Sequence, residues 1–396
     1  MTEYRFGDIC KVINGRAYRQ PELLDSGKYP VLRVGNFFSS DRWFYSDLEL
    51  PEDKYCDNDD LLFAWSASFG PRIWDGGKVI YHYHIWKLEP DDTIVDKYYL
   101  YYWLRKSVDI LTAGTHGSVM AHMTKGDMEN QRIMLPNIEV QRQVGKMLRL
   151  LDDKIKTNNK INDNLLRQAQ LLFQSWFVDY QPFGGQMPND WTEGVFADIV
   201  DFSNGYAFKS KELLDTPQPD CYRVFKQGHI FRGGGFNPDG TKSWYPRCKA
   251  EGLKKYVLKK GDILMAMTDM KDNVQILGNT AIMEVDDQYI VNQRVGVLRC
   301  KKECGISYPY IFLLTNSKDF LLDLRSRANS GVQVNLSSTE IKKSPVHIAP
   351  RNVYEEFTAI VLPMFEAMIS NDIQNQQLAE LRDTLLPKLM GGELYV

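Results

Sequence analysis

Apolar side chains recur at alternating steps of four and three along two separate stretches of this chain. The first runs Val144, Leu148, Leu151, Ile155, Asn158, Asn162, Leu165, Ala169, Leu172, Trp176. The second runs Phe357, Val361, Met364, Met368, Asn371, Asn375, Leu378, Arg382, Leu385, Leu389, each position 213 residues after its counterpart. A sustained period of 3.5 residues predicts helices that pack along a seam against a partner helix. Two matching helices in one chain are the obvious partners for each other. The first is expected from about Gln141 to Trp176, a length of roughly 54 Å at 1.5 Å per residue. In the second, Pro363 lies inside the apolar pattern and predicts a kink or a late start, since proline brings no N–H to the ladder. Pro387 predicts a bend in its final turn.

The repetition extends beyond the seams. Phe6, Asp8, Ile9, Asn14, Gly15, Ala17, Glu22 and Leu23 are answered by Phe196, Asp198, Ile199, Asn204, Gly205, Ala207, Glu212 and Leu213, all offset by 190. Lys54, Tyr55, Asp60, Leu61, Leu62 and Ala64 are answered by Lys255, Tyr256, Asp262, Ile263, Leu264 and Ala266. The drift of the offset from 190 to 213 places longer loops in the second copy. The chain therefore reads as two homologous modules, each a globular part followed by a long helix. Strands are predicted at Tyr29–Val34, Leu61–Ser66 and Lys78–Leu88. Their counterparts are Tyr222–Lys226, Asp262–Thr268, Asn279–Val285 and Val291–Leu298. A helix is expected over about Asp96–Leu111, and another after Ser307 with Pro309 in its first turn. Helix and strand signals alternate, so each globular part is mixed α/β.

Pro136 and Pro350 close the globular parts, and residues 180–189 (YQPFGGQMPN) form a linker that can feed no helix. If the long helices run antiparallel, their midpoints meet at Asn158, Asn162, Asn371 and Asn375. Asparagines on a seam cost stability but can fix register when they bond to one another. The alternative is a seam that is simply solvated at its middle.

Composition narrows the function classes. The 396 residues allow two or three domains, and hydrophobic and charged fractions of 43% and 25% are those of a globular chain. No stretch approaches the roughly 18 apolar residues of a membrane span, and the start MTEYRFGDIC lacks a signal-peptide core; a cytoplasmic location and no membrane partner are expected. Six cysteines form no CxxC pair and no zinc-spaced cluster with histidine, which predicts buried free thiols. The net charge of −3 hides an uneven distribution. Residues 205–260 hold 12 Lys/Arg against 5 Asp/Glu, a local +7, while residues 41–60 hold 2 against 8, a local −6. The second module thus has a basic face to offer a polyanion.

Catalytic patterns are missing. Gly235–Ser243 approaches a phosphate loop but carries an extra residue before Lys242. There is no [N/D]PP[Y/F] tetrapeptide of the adenine methyltransferases. Asp152, Asp153 and Lys154 resemble the tail of a nuclease motif, yet lie on the heptad helix without a fitting acidic partner. His82 and His84 would share a face only on a regular strand, and no third metal ligand is evident. No catalytic, cofactor or metal residue is expected.

Matching polar loops are better candidates for recognition. The first spans residues 115–124, with His116, Gly117, Ser118, His122 and Thr124; the second spans 329–337, with Gln333, Asn335 and Ser337. Amides can bond adenine bidentately, and hydroxyls and imidazoles reach base edges or phosphates. Trp65, Ser66, Ser68 and Arg72 in the first module, and Lys226, Lys271 and Arg294 in the second, complete the candidate DNA contacts.

These residues carry a family resemblance over essentially the whole chain. The segments Leu172–Phe183 (LFQSWFVDYQPF) and Leu381–Leu394 (LRDTLLPKLMGGEL) are similar to the specificity subunit of Type I restriction-modification systems. So are Pro136, Glu139 and Gln141 at the start of the first helix and the Gly117–Ser118 loop followed by His122. Trp65 with Ser66, Trp74 with Gly76, and His84 with Lys87 also resemble that family's target-recognition domains. The start of the second helix departs, because Arg351–Glu355 contains no glutamine. The resemblance implies a fold of α/β (α+β) class, with two homologous mixed α/β target-recognition domains separated by two long helices in an antiparallel coiled coil. Boundaries are expected at 1–136 for the first domain, 137–180 for the first spacer helix, 181–350 for the second domain with its linker, and 351–396 for the second helix. The resemblance also implies a non-catalytic subunit that reads a bipartite double-stranded DNA site, one half per domain. Its partners would be two adenine methyltransferase subunits, which carry S-adenosylmethionine, and optionally two endonuclease/translocase subunits. The competing reading is a coiled-coil scaffold that never reads DNA.

Overall fold

The computed structural model describes residues 1–38, 42–66, 68–112, 123–270, 274–329 and 333–394, with side chains for all of these except 109–112 and 333. The chain divides into two compact units. One is Met1–Thr157 together with Asn375–Val396, and the other is Asn158–Gln374.

In the first unit the central strand is Leu61–Ser66, whose first four residues are all buried. Its alternate side chains serve two different cores. Leu61 and Phe63 join Phe6, Trp86, Leu100 and Val144, whereas Leu62 and Ala64 join Leu32, Trp74 and Tyr81. A strand covered on both faces reads as an unbroken apolar run. It lies in an antiparallel sheet ordered Cys10–Asn14, Ile85–Pro90, Leu61–Ser66, Ser68–Ile73. A second sheet is ordered Phe44–Ser46, Tyr29–Leu32, Val79–Tyr81, Tyr55–Cys56, and its central pair is parallel.

The second unit repeats this plan. Ile263 and Met265 face one core while Leu264 and Ala266 face another. The sheet order is Val200–Asn204, Val295–Cys300, Ile263–Ala266, Thr280–Ile282. Beside it Cys221–Phe225 pairs in parallel with Tyr289–Val291.

Three expected strands are broken in the structure. Lys78–Leu88 separates into Val79–Tyr81 and Ile85–Pro90, which belong to different sheets. The chain turns between them, with the Ile85 N–H donating to the His82 carbonyl at 2.9 Å. Val291–Leu298 divides in the same way around Asn292–Arg294, and Asp262–Thr268 into Ile263–Ala266 and Thr268–Met270. Period alone could not find the first two turns, because Tyr81 and Ile85, and Val291 and Val295, flank them as buried apolar residues.

The helices follow their caps. Lys97–Thr112 begins where the Asp96 carboxylate accepts the Tyr99 N–H at 2.9 Å. Tyr308–Thr315 carries its proline in the first turn. The first long helix, Ile138–Phe177, is 40 residues, or about 60 Å, and Asn137 Oδ1 accepts the Val140 N–H at its start. Gln141 is wholly buried there. Its amide donates to the carbonyls of Ile94 and Pro136 and accepts the Asp96 N–H, all at 2.9–3.0 Å. The second long helix, Arg351–Gly391, runs 41 residues and includes both Pro363 and Pro387. The late start anticipated at Pro363 does not occur. Pro363 and Ala359, whose carbonyl loses its partner, are both exposed, so water can take the place of the missing N–H.

Within each unit the two long helices pack on one another. In the second unit Asn162 meets Met368, Asn371 and Asp372, while Phe177 meets Tyr354 and Phe357, so the segments there run antiparallel. In the first unit Arg382, nine-tenths buried, pairs with Asp152, which also accepts the Tyr102 hydroxyl at 2.7 Å. Leu386, Leu389 and Met390 enter the same core as Val144 and Leu148.

Candidate nucleic-acid interface

In the first unit the parallel strands Tyr29–Leu32 and Val79–Tyr81 end side by side, with Val31 opposite Ile80 and Leu32 opposite Tyr81. The carboxyl ends of parallel strands are where α/β sheets commonly receive ligands. Here they open onto a cavity of about 440 Å³ lined by Arg33, Val34, Gly35, Asn36, Arg42, Phe44, His82 and His84. Its shape is set locally. The Phe44 ring has the Arg33 and Arg42 guanidinium carbons 5.2 and 5.1 Å from its centre, a cation–π arrangement that keeps both cations at the rim. Asn36 accepts the Arg33 N–H at 3.3 Å and donates to the Arg42 carbonyl at 2.8 Å, which fixes the backbone of both arginines. Burial, reinforced by the charges of His84 and Arg33, pulls the His82 imidazole down to about 4. His82 is therefore neutral near pH 7, with one ring nitrogen able to donate and the other to accept.

The second unit places related groups at the ends of its own parallel pair. Lys226 follows Cys221–Phe225 in the position Arg33 holds after Tyr29–Leu32, and its N–H lies 3.1 Å from His229 Nδ1. His229 is completely buried, and burial with the charge of Arg223 pulls its imidazole down to about 4. Gln227 and Thr268 bond each other through side chain and backbone. Lys209, Lys211, Arg232, Lys242, Lys249, Lys254 and Lys255 of the basic segment are exposed. A cation at the strand end, an amide or imidazole behind it and a basic surround can hold phosphates and present donors to base edges.

A larger cavity of about 540 Å³ in the first unit differs in kind. Its charges pair among themselves, Lys156 and Arg72 with Asp75, Arg105 with Asp152 and Arg149 with Asp153. A self-neutralised wall offers little to a polyanion.

The residues expected from the sequence scatter. Trp65 is half-buried, its indole N–H donating to the Tyr83 carbonyl at 2.8 Å and its ring stacking on Trp86. Ser66 is buried and Ser68 exposed. Arg72 bonds the Phe37 carbonyl and Asp75 and lies over Trp74. Thr124 caps the short helix Lys125–Glu129 through the Asp127 N–H, and Ser337 caps Ser338–Lys342 through Glu340. Gln333 and Asn335 lie on a short strand paired with Thr268–Met270, with the Asn335 side chain exposed. Arg294 is exposed on the turn after Val291 and Asn292. His116, Ser118, His122 and Lys271 lie outside the described residues. At the helix midpoints the Asn371 amide donates to Asn162 Oδ1 at 2.8 Å, and Asn162 in turn donates to Asp372. Asn158 bonds Gln374 at 2.8 Å. Asn375 sits half-buried on the second long helix.

Sequence reasoning missed Arg33, Asn36, Arg42 and Phe44, whose signal was the strand end they follow. His82 was weighed only as a metal ligand. Among the described residues no group of three His, Cys, Asp or Glu side chains could hold a metal, and no helix is long and apolar enough to cross a membrane.

The chain matches the family described as Type I restriction modification DNA specificity domain over residues 1–167 and again over 188–382. It belongs to this family. Among members of the Type I specificity family, the MjaVIII specificity subunit of Methanocaldococcus jannaschii is 28% identical over 338 residues, covering 81% of this chain and 75% of the relative. The HindI specificity subunit of Haemophilus influenzae is 22% identical over 99% of both chains. In structure the chain is similar to the Type I restriction-modification S subunit from M. genitalium, with a TM-score of 0.64 and 16% identity over 98% of this chain and 95% of the other. The two family matches cover the two modules of the repeat.

Proposed function

We propose that this chain is the DNA sequence-recognition subunit of a Type I restriction-modification complex, non-catalytic itself, with each module reading one half of a bipartite target. The observation that carries this reading is the doubled family match, 1–167 and 188–382, over modules that each end a parallel strand pair in a cation. The relatives named as Type I specificity subunits support it, and membership of that family replaces the scaffold reading. The target-recognition domains would span 1–136 and 181–350, with helices at 137–180 and 351–396 as spacers. The partners would be two adenine methyltransferase subunits, supplying S-adenosylmethionine, and optionally two endonuclease/translocase subunits, all acting on DNA in the cytoplasm. Two modules on one chain raise each other's effective concentration at adjoining half-sites without new contacts.

The test is methylome sequencing of a host carrying this chain with its methyltransferase partner. A single bipartite adenine motif is expected, and salt-dependent DNA binding should accompany it. Exchange of residues 1–140 for those of another member should alter one half of the motif only. Absence of any sequence-specific methylation by the assembled complex would sink the proposal.

A further inference from the structure

The strand-breaking turns at His82–His84 and Asn292–Arg294 are held by the same backbone bonds in both modules. Gly15 and Gly205 N–H groups donate to Ile85 and Val295, and Arg16 and Tyr206 to Tyr81 and Val291. His82 and Asn292 donate to Leu32 and Phe225, and Tyr83 and Gln293 to the carbonyls of Arg16 and Tyr206. Ile85 and Val295 close the turns onto His82 and Asn292, and Trp65 and Met267 donate to His84 and Arg294. All twelve bonds measure 2.9–3.2 Å. A Cβ on Gly15 would lie 2.4 Å from the His82 carbonyl oxygen, and one on Gly205 2.2 Å from that of Asn292, so both glycines are needed for the close approach.

The side chains on this shared frame are different. Only the first position acts alike. His82 Nδ1 accepts the His84 N–H at 3.4 Å, and Asn292 Oδ1 accepts the Arg294 N–H at 3.3 Å, each closing its own turn as an Asx turn does. The next two positions are Tyr83 and His84 in one module and Gln293 and Arg294 in the other. Buried Tyr81 and Ile85, or Val291 and Val295, flank them. Tyr83 is 38% exposed and its ring lies tilted against that of half-buried His84, while Gln293 and Arg294 are both exposed. His84 lines the same cavity as Arg33, and in the second module the Asn292 N–H donates to the carbonyl of Phe225, the residue before Lys226. All twelve bonds run between main-chain atoms, so the frame itself does not dictate which side chains stand at these two positions.

We infer that the dipeptides Tyr83–His84 and Gln293–Arg294 are the specificity-determining side chains of the two modules, reading base edges while His82 and Asn292 position them. Their chemistry suits the major groove. Gln bonds the N6/N7 edge of adenine, Arg the O6/N7 edge of guanine, and an imidazole or phenol can donate or accept at either. This inference rests on the DNA-recognition reading above.

The experiment uses the full chain assembled with its methyltransferase subunits. In one variant Gln293→Tyr and Arg294→His graft the first module's pair onto the second; Gln293→Ala and Arg294→Ala are made singly. The graft should change bases in one half of the methylated motif and leave the other half and the gap intact. Each alanine variant should relax discrimination at one base position by roughly ten-fold or more, with assembly and thermal melting unchanged. An unaltered motif in all three variants would overturn the inference while leaving the recognition reading standing. So would a uniform loss of affinity across sequences, which marks a phosphate contact. A wild-type complex without any bipartite motif would instead be the failure of the recognition reading itself.

Discussion

A single carboxylate shows how burial sets chemistry in the second unit. Glu284 is 8% exposed, and burial together with the charge of Asp372 pushes its carboxyl up to about 8. Asp372 is itself raised to about 6, chiefly by burial, although Asn162 donates to it. A raised folded value means that the folded state holds its proton more tightly than the unfolded chain does. Stability from Glu284 is therefore complete below about 4.5, falls as pH rises through that window, and is at its lowest above about 8. Replacing Glu284 by Gln should raise the unfolding free energy at pH 8.5, by on the order of 1 kcal/mol per unit of raised pKa that is relieved, and do little at pH 4. Denaturant midpoints at the two pH values measure this; an equal shift at both would assign the effect to packing rather than ionisation. Nothing in the sequence marked Glu284, because its neighbours in space lie far along the chain. Gly15 and Gly205, by contrast, stood out as repeated positions, and only the structure gave the carbonyl contacts that require them. The candidate contacts were legible by residue type and not by place. Arg72 and Trp65 have the right chemistry, but their polar atoms are engaged by Phe37, Asp75 and Tyr83.

At the scale of elements, period carried the first long helix to within a few residues of its observed ends. The seam of 3.5 residues predicted Gln141–Trp176, and the helix is Ile138–Phe177. The second helix start, which lacks a glutamine, is tied by other means. Tyr354 occupies the place 213 residues after Gln141, is buried, and its hydroxyl accepts the Ala349 N–H at 3.1 Å. An aromatic hydroxyl thus ties down the backbone before the second helix, where an amide does so before the first, through different groups. The late start expected at Pro363 fails for a physical reason: exposure of the freed carbonyl lets a helix continue through a proline at a cost in stability. Pro363→Ala should therefore stabilise the second unit by ~1–3 kcal/mol, read as a rise in urea midpoint with unchanged slope. A lower midpoint would show that Pro363 makes a contact the helix needs. The breaks at His82–His84 and Asn292–Arg294 were illegible because side-chain period cannot register a change of sheet between two buried apolar residues.

For the whole molecule, the repeat itself was the most legible feature, since co-linear matches survive where pairwise patterns blur. The proposed role of the two long helices as spacers has a direct test. Four residues inserted into each helix would lengthen it by about 6 Å, roughly two base pairs at 3.4 Å each, and should widen the unspecified gap in the methylated motif by that amount. A gap that stays fixed would remove the spacer role. The make-up of the first unit carries a different consequence. Its core takes Leu386, Leu389 and Met390 from residues 375–396, whereas the second unit is the continuous stretch 158–374. A ribosome finishes every residue of the second unit before it reaches the segment the first unit still lacks. Chains ended after Gln374 should thus keep a protease-resistant second unit and leave Val144 and Leu148 open to attack. In synthesis the module that is made first is completed last, and until then the apolar face that Leu386, Leu389 and Met390 will cover stays open.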